Sequence, residues 1–264
     1  MKKTLITLLA FAGIASATSS DWTCDPTTIK DEEVVVSGTS VHTWDVSDTA
    51  GLTWTGGNAF SIAITLDVNS LAKTETGEFD TTKRYAVMSI RDYTSKPNKT
   101  TSYNGLACVA IQNGKVQFIN WNGATAADTN VAEVSLSELG AQSSLTLVVN
   151  RDSSNTTTMG VYADGNFDNG RTLAGLANRS FDKQEFTELN FGGTTADSYT
   201  GGVNAVMPGN DVAAEFTLTG AAYMTGGVAT ADQLRTYYNL VPEPTTACLS
   251  LLALAGLAAR RRRR

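Results

Sequence analysis

From Phe60 to Val68 the chain alternates residue by residue. Phe60, Ile62, Ile64, Leu66 and Val68 fall on one side, and Ser61, Ala63, Thr65 and Asp67 on the other. A period of two is a strand with one face turned to a core. Similar segments recur along the body, and helical periodicity of useful length is missing from it. "LACVAIQNGKVQFINW" (106–121) sets Asn113-Gly114 between two apolar runs, a hairpin signal because both residues tolerate the positive φ of a tight turn. "SLTLVVN" (144–150) and "TMGVYADG" (158–165) form a further pair, the second closing on Asp-Gly. "YAVMSI" (85–90), "FTELNF" (186–191) and "AEFTLTGAAYM" (214–224) complete the series. Short strands divided by polar, Gly-rich turns predict an all-β body, an antiparallel two-sheet β-sandwich or jelly roll. One short C-terminal helix closes it. Thr230 and Gln233 have capping-box spacing, Leu234 and Tyr238 share a face, and Asn239 suits the stop.

Both ends read as delivery peptides around this body. "MKKTLITLLAFAGIASATSS" carries Lys2 and Lys3, an apolar stretch, and Ala15-Ser16-Ala17 at a cleavage point, the layout of a secretory signal peptide over residues 1–17. At the other end, Pro242-Glu243-Pro244 precedes an apolar run of 13 residues, Ala247–Ala259, and then Arg260, Arg261, Arg262, Arg263 and Arg264. A helix of that length spans roughly 20 Å, short of the roughly 30 Å of a bilayer core. The arginines favour the cytoplasmic side. This three-part tail, residues 242–264, resembles the PEP-CTERM sorting signal of Gram-negative bacteria. The resemblance implies recognition by an exosortase-type enzyme, transient inner-membrane contact through the tail, its removal, and delivery to the cell surface or extracellular matrix.

Between the ends lies one domain, residues 18–241. The whole chain has 20 basic and 26 acidic residues; setting aside Lys2, Lys3, the five arginines and Glu243 leaves 13 against 25, about −12. A body this acidic repels phosphate backbones, which excludes nucleic acid as a partner class. The order "SLTLVV…TTTMGVYADGN", a strand, then "FTLTGAAYMTGGVATADQLRTYYNL" resembles the laminin-G-like, concanavalin-A-like jelly-roll family. That resemblance implies the sandwich fold and a carbohydrate-binding role, with a glycosidase as a further possibility on the same scaffold.

No reactive centre stands out. Acid and base of a glycosidase must flank one bond, about 5–9 Å apart. The best carboxylate pair, Glu185 and Glu188, is spaced three apart, so a strand turns the two to opposite faces. Asp67 has no acidic neighbour at i±2. His42 is the only histidine, so any Ser-His-Asp arrangement depends on it, and zinc is left without ligands. The residues therefore predict no enzyme and no required cofactor. "DGNFDNG" offers Asp164, Asn166 and Asp168 as oxygen donors for calcium, or reads as an ordinary Asp-Gly turn. Cys24 and Cys108 either pair as a disulfide of an exported protein or stay as buried thiols.

Binding candidates lie at loops and strand ends. Trp121, flanked by Asn120 and Asn122, either stacks on a sugar ring while the amides bond hydroxyls, or closes the core. Tyr93 and Tyr103 surround Lys96 and Lys99 in the 91–103 loop, and 192–210 is a long Gly-rich loop. The expectation is a secreted, surface-directed, non-catalytic binding or matrix protein that recognises extracellular polysaccharide or glycan. The rivals are a structural or adhesive surface protein with no small ligand, and a degenerate glycoside hydrolase.

Overall fold

The computed structural model describes residues 22–25, 34–36, 42–46, 49, 52, 57–91, 106–121, 129–175, 188–192 and 214–240. Within them the body is an antiparallel β-sandwich with one short helix at its C-terminal end. The strands are β1 (Thr23–Cys24), β2 (Val34–Val36), β3 (His42–Asp45), β4 (Phe60–Asp67), β5 (Arg84–Arg91), β6 (Leu106–Gln112) and β7 (Lys115–Trp121). There follow β8 (Thr129–Ser135), β9 (Ser144–Arg151), β10 (Thr157–Ala163), β11 (Arg171–Ala174), β12 (Glu188–Phe191) and β13 (Phe216–Thr225). A helical turn, α1 (Leu136–Leu139), follows β8, and α2 (Ala231–Leu240) follows β13. The first sheet runs β1-β13-β4-β9-β10-β11, with β2 also on β13; the second runs β3-β12-β5-β6-β7-β8.

The core lies between the sheets. From the first come Phe60, Ile62, Ile64 and Leu66 of β4, with Leu145, Leu147 and Val149 of β9; from the second come Val109, Ile111, Val116 and Phe118. The β6–β7 hairpin turns through Asn113 and Gly114 at φ 52° and 67°, with Gln112 opposite Lys115, so the two-residue turn expected at that position forms. In β13 a bulge between Leu218 and Gly220 exchanges the faces. Phe216 and Leu218 point inward before it, Ala221 and Tyr223 after it. A one-residue slip turns every following side chain over, which alternation in the sequence cannot anticipate.

The polar side of β4 is buried too, because α2 covers it. Ser61 and Thr65 dock the third layer. The Ser61 hydroxyl donates to Asn150 Oδ1 at 2.6 Å and accepts from the Ala229 amide at 2.8 Å. Thr65 Oγ1 lies 3.0 Å from both Thr146 Oγ1 and the Tyr237 hydroxyl. The capping box forms: the Thr230 amide donates to Gln233 Oε1 at 2.9 Å and the Gln233 amide to Thr230 Oγ1 at 3.3 Å. The buried helix face is Leu234 and Tyr237, with Tyr238 packed beside them, and the helix runs past Asn239 to Leu240. Burial of the Tyr237 phenol pushes its pKa far above the usual range. No helix among the described residues is long and apolar enough to cross a membrane.

Candidate functional site

Much of what the sequence singled out lies outside the described residues: Ala15 and Ala17, Tyr93, Tyr103, Asn122, Glu185, most of both candidate loops, and the tail from Pro242 to Arg264. Asn120 and Trp121 end β7; Asn120 sits opposite Ala107 and Asn130, and Trp121 opposite Leu106 and Thr129.

The strand pair that ends at Trp121 carries a graded strip. Lys115 is opposite Ser135, Gln117 opposite Glu133, and Ile119 opposite Val131. Val116, Phe118 and Val134 alternate with these residues and enter the core, so the strip belongs to the sheet's outer face. At its polar end Lys115 Nζ contacts Glu133 Oε1, and Gln117 Nε2 donates to Glu133 Oε2 at 3.3 Å. The Lys115 and Glu133 side chains remain 44% and 39% exposed. The Lys115 hydrogen bond, with help from Gln117, holds the Glu133 carboxyl below the usual carboxylate range. At the other end Val131 is 47% exposed, while Ile119 opposite it is buried; Trp121 follows Ile119 by two residues along β7. A fixed carboxylate, an amide and an ammonium beside apolar surface make the alternating acceptor and donor set that vicinal hydroxyls require. Composition missed Glu133, although the alternation of "NVAEVS" (130–135) was its signal.

The carboxylates of "DGNFDNG" are already hydrogen-bonded within the protein. Asp164 Oδ1 accepts from the Ser143 amide at 2.7 Å, the Ser143 hydroxyl at 2.8 Å and the Ser144 amide at 2.9 Å; Oδ2 accepts from the Gln142 amide at 2.9 Å. Desolvation pushes this carboxyl up, but the four hydrogen bonds together outweigh it and leave its pKa lowered. Asp168 Oδ1 is bound by Arg235 Nη2 at 2.6 Å, and Asn166 is exposed. The amides of residues 142–144 occupy carboxylate lone pairs that a cation would otherwise use, so the loop is a clamp on the start of β9. Gly165, at φ 70°, completes it: an added Cβ would meet Tyr238 Cε1 at 2.8 Å. Gly165→Ala is therefore expected to cost more than about 1 kcal/mol in a thermal or urea melt.

Of the two readings left open for Cys24, the free thiol is the one found. Cys24 is a free thiol on the edge of the first sheet, packed with Trp22 and α2 on the face away from the second sheet, where Cys108 lies in β6. Two sheets' separation stands between them. Burial, with Asp25 adding to it, pushes the Cys24 thiol up, which keeps it protonated and inert.

His42 occupies the edge strand β3 and bonds a residue the sequence did not flag. Its Nε2 lies 2.6 Å from Asp25 Oδ2, and its ring stacks on Phe191 at 5.8 Å. Asp25 is 1% exposed. The pair ties an edge of the first sheet to an edge of the second, beside Trp44 packed at a tilt on Tyr223 and the Tyr223 hydroxyl bonded to Thr49 at 2.8 Å. Register also sets Glu188 opposite Asp45 across β12 and β3. No group of three or more His, Cys, Asp or Glu side chains among the described residues converges as a metal site.

No protein-family model matches the chain, and no curated protein matches it. Among solved structures it is similar to a botulinum neurotoxin serotype C1 binding domain at 9% identity and TM-score 0.45, over 83% of this chain and 46% of that one. It is similar to the CBM40 of a Ruminococcus gnavus IT-sialidase, solved with alpha2,6 sialyllactose, at 17% identity and TM-score 0.42, over 78% and 96%. A leech intramolecular trans-sialidase matches at 12% identity and TM-score 0.42, over 78% and 27%. The chain thus spans less than half the length of the toxin domain. None of the three is similar enough to assign this chain a ligand.

Proposed function

We propose that the folded body is a non-catalytic binding domain, exported by its N-terminal signal and directed to the cell surface by its tail. An exosortase-type enzyme processes that tail. The body recognises extracellular polysaccharide or glycan on the outer face of the second sheet. The observation that carries the reading is the strip on β7 and β8, where Lys115 and Gln117 hold the Glu133 carboxylate in place beside the exposed Val131. Such a carboxylate has lone pairs left for two sugar hydroxyls, and holding it in advance lowers the cost of ordering on binding.

A glycan array on the purified protein, with and without calcium, tests this. Binding is expected in both conditions, because Asp164 and Asp168 are already engaged. Glu133→Ala, a surface change, is expected to weaken binding about tenfold or more, the worth of a hydrogen bond to a charged group. No signal from well-folded protein would favour the structural or adhesive reading. Delivery is tested by intact mass of protein recovered from the cell surface, expected to lack residues 1–17 and 242–264. Retention of Arg260–Arg264 on cytosolic protein would refute it.

The hydrolase reading draws on one observation, the placement of Glu188 opposite Asp45. It predicts sugar release that Glu188→Gln abolishes, and absence of turnover removes it.

A further inference from the structure

Charge on the β7–β8 strip is balanced within the strip itself. Lys115 Nζ contacts Glu133 Oε1, and the side chains in register beside them, Gln117, Ile119, Val131 and Ser135, carry no charge. The hydrogen bond from Lys115, then that from Gln117, holds the Glu133 carboxyl below the usual carboxylate range, so it stays ionised at neutral pH. From Lys115 the same row runs across the outer face to Gln112 and then Arg84. Arg84 lies two strand spacings away, about 10 Å. It is 7% exposed and engaged within the protein, so it offers a surface ligand no second cation.

A sugar carboxylate bonded to the remaining N–H donors of Lys115 would sit next to Glu133, which cancels most of the ammonium's attraction. It would also approach a body whose acidic residues outnumber its basic ones, with nothing on the strip to offset that field. A hydroxyl meets neither penalty, because it donates to the carboxylate and accepts from the ammonium. We infer that the strip takes uncharged polysaccharide, built from neutral sugars with vicinal hydroxyls, and excludes glycans that carry carboxylate or sulfate. The inference rests on the strip being the glycan site and adds the charge class of the ligand.

An array of neutral, uronic-acid, sulfated and sialylated glycans tests it, read at low salt and at about 0.15 M salt. Wild-type signal is expected on neutral glycans, equal at the two salt levels, and severalfold above the signal on acidic ones. Glu133→Gln keeps the side chain's shape, removes its charge and releases Lys115. It is expected to weaken neutral binding severalfold and to strengthen acidic binding, most at low salt, where screening is least. The decisive readout is this crossed change, which a loss of folding would not produce. Acidic glycans bound by wild type as well as neutral ones, and lost in Glu133→Ala, would overturn the inference and leave the strip as the binding site. No glycan signal, or signal that neither variant changes, would overturn the placement of the site and the inference with it.

Discussion

Replacing His42 with alanine is expected to lower the unfolding free energy by about 2 kcal/mol, the worth of a hydrogen bond to a carboxylate together with a packed ring. Asp25 is 1% exposed, and its carboxylate has His42 Nε2 at 2.6 Å. Truncation removes that hydrogen bond and the ring stacked on Phe191. Among the described residues the two sheet edges meet here through side chains, since β1 pairs with β13 and β3 with β12. Urea denaturation of the single variants and of His42→Ala/Asp25→Ala checks this. The double variant is expected to cost less than the sum of the two single variants, because both remove the same hydrogen bond. A single-variant cost below about 1 kcal/mol, the level of an exposed pair, would mean the seam contributes little.

Asp164→Ala is expected to cost about 2 kcal/mol, since it leaves three backbone amides of residues 142–144 without the acceptor they share. The same carboxylate gives the protein an acid limb. Its folded pKa is lowered relative to the unfolded chain, whose aspartates titrate near about 4. A group of that kind contributes stability that is fully present above the unfolded value and lost as pH falls through the folded one. Wild type should therefore lose stability from about pH 4 downward. The alanine variant should lose less over the same interval, so the two urea midpoints converge at low pH. Parallel curves would show that Asp164 titrates alike in both states.

The alternation of Phe60–Leu66, the Asn113-Gly114 turn and the Thr230/Gln233 box were legible in the chain because each is local. A strand's period, a positive φ at two adjacent residues, and a reciprocal bond across three residues need no distant partner. Ser61 and Thr65 were not legible in the same way. Their polarity reads as a solvated face, yet each is a docking point for a helix some 170 residues later. Asp164 illustrates the same limit, since Asp-Gly followed by Asn and Asp looks like a set of cation ligands until the amides of 142–144 arrive from another strand.

The two shortest strands were missed for a related reason. β1 and β2 have two and three residues, too few for any periodicity, and exist because β13 offers them an edge. Glu133 became a candidate only when register set it opposite Gln117 and diagonal to Lys115. Local covalent preference was enough to make this polypeptide a set of antiparallel strands with one capped helix. Which faces are wet, which carboxylates are spent on amides, and which aspartate the single histidine meets depend on contacts between residues far apart in the chain. Those contacts come into being only when loop-closure entropy has been overcome and the layers have met.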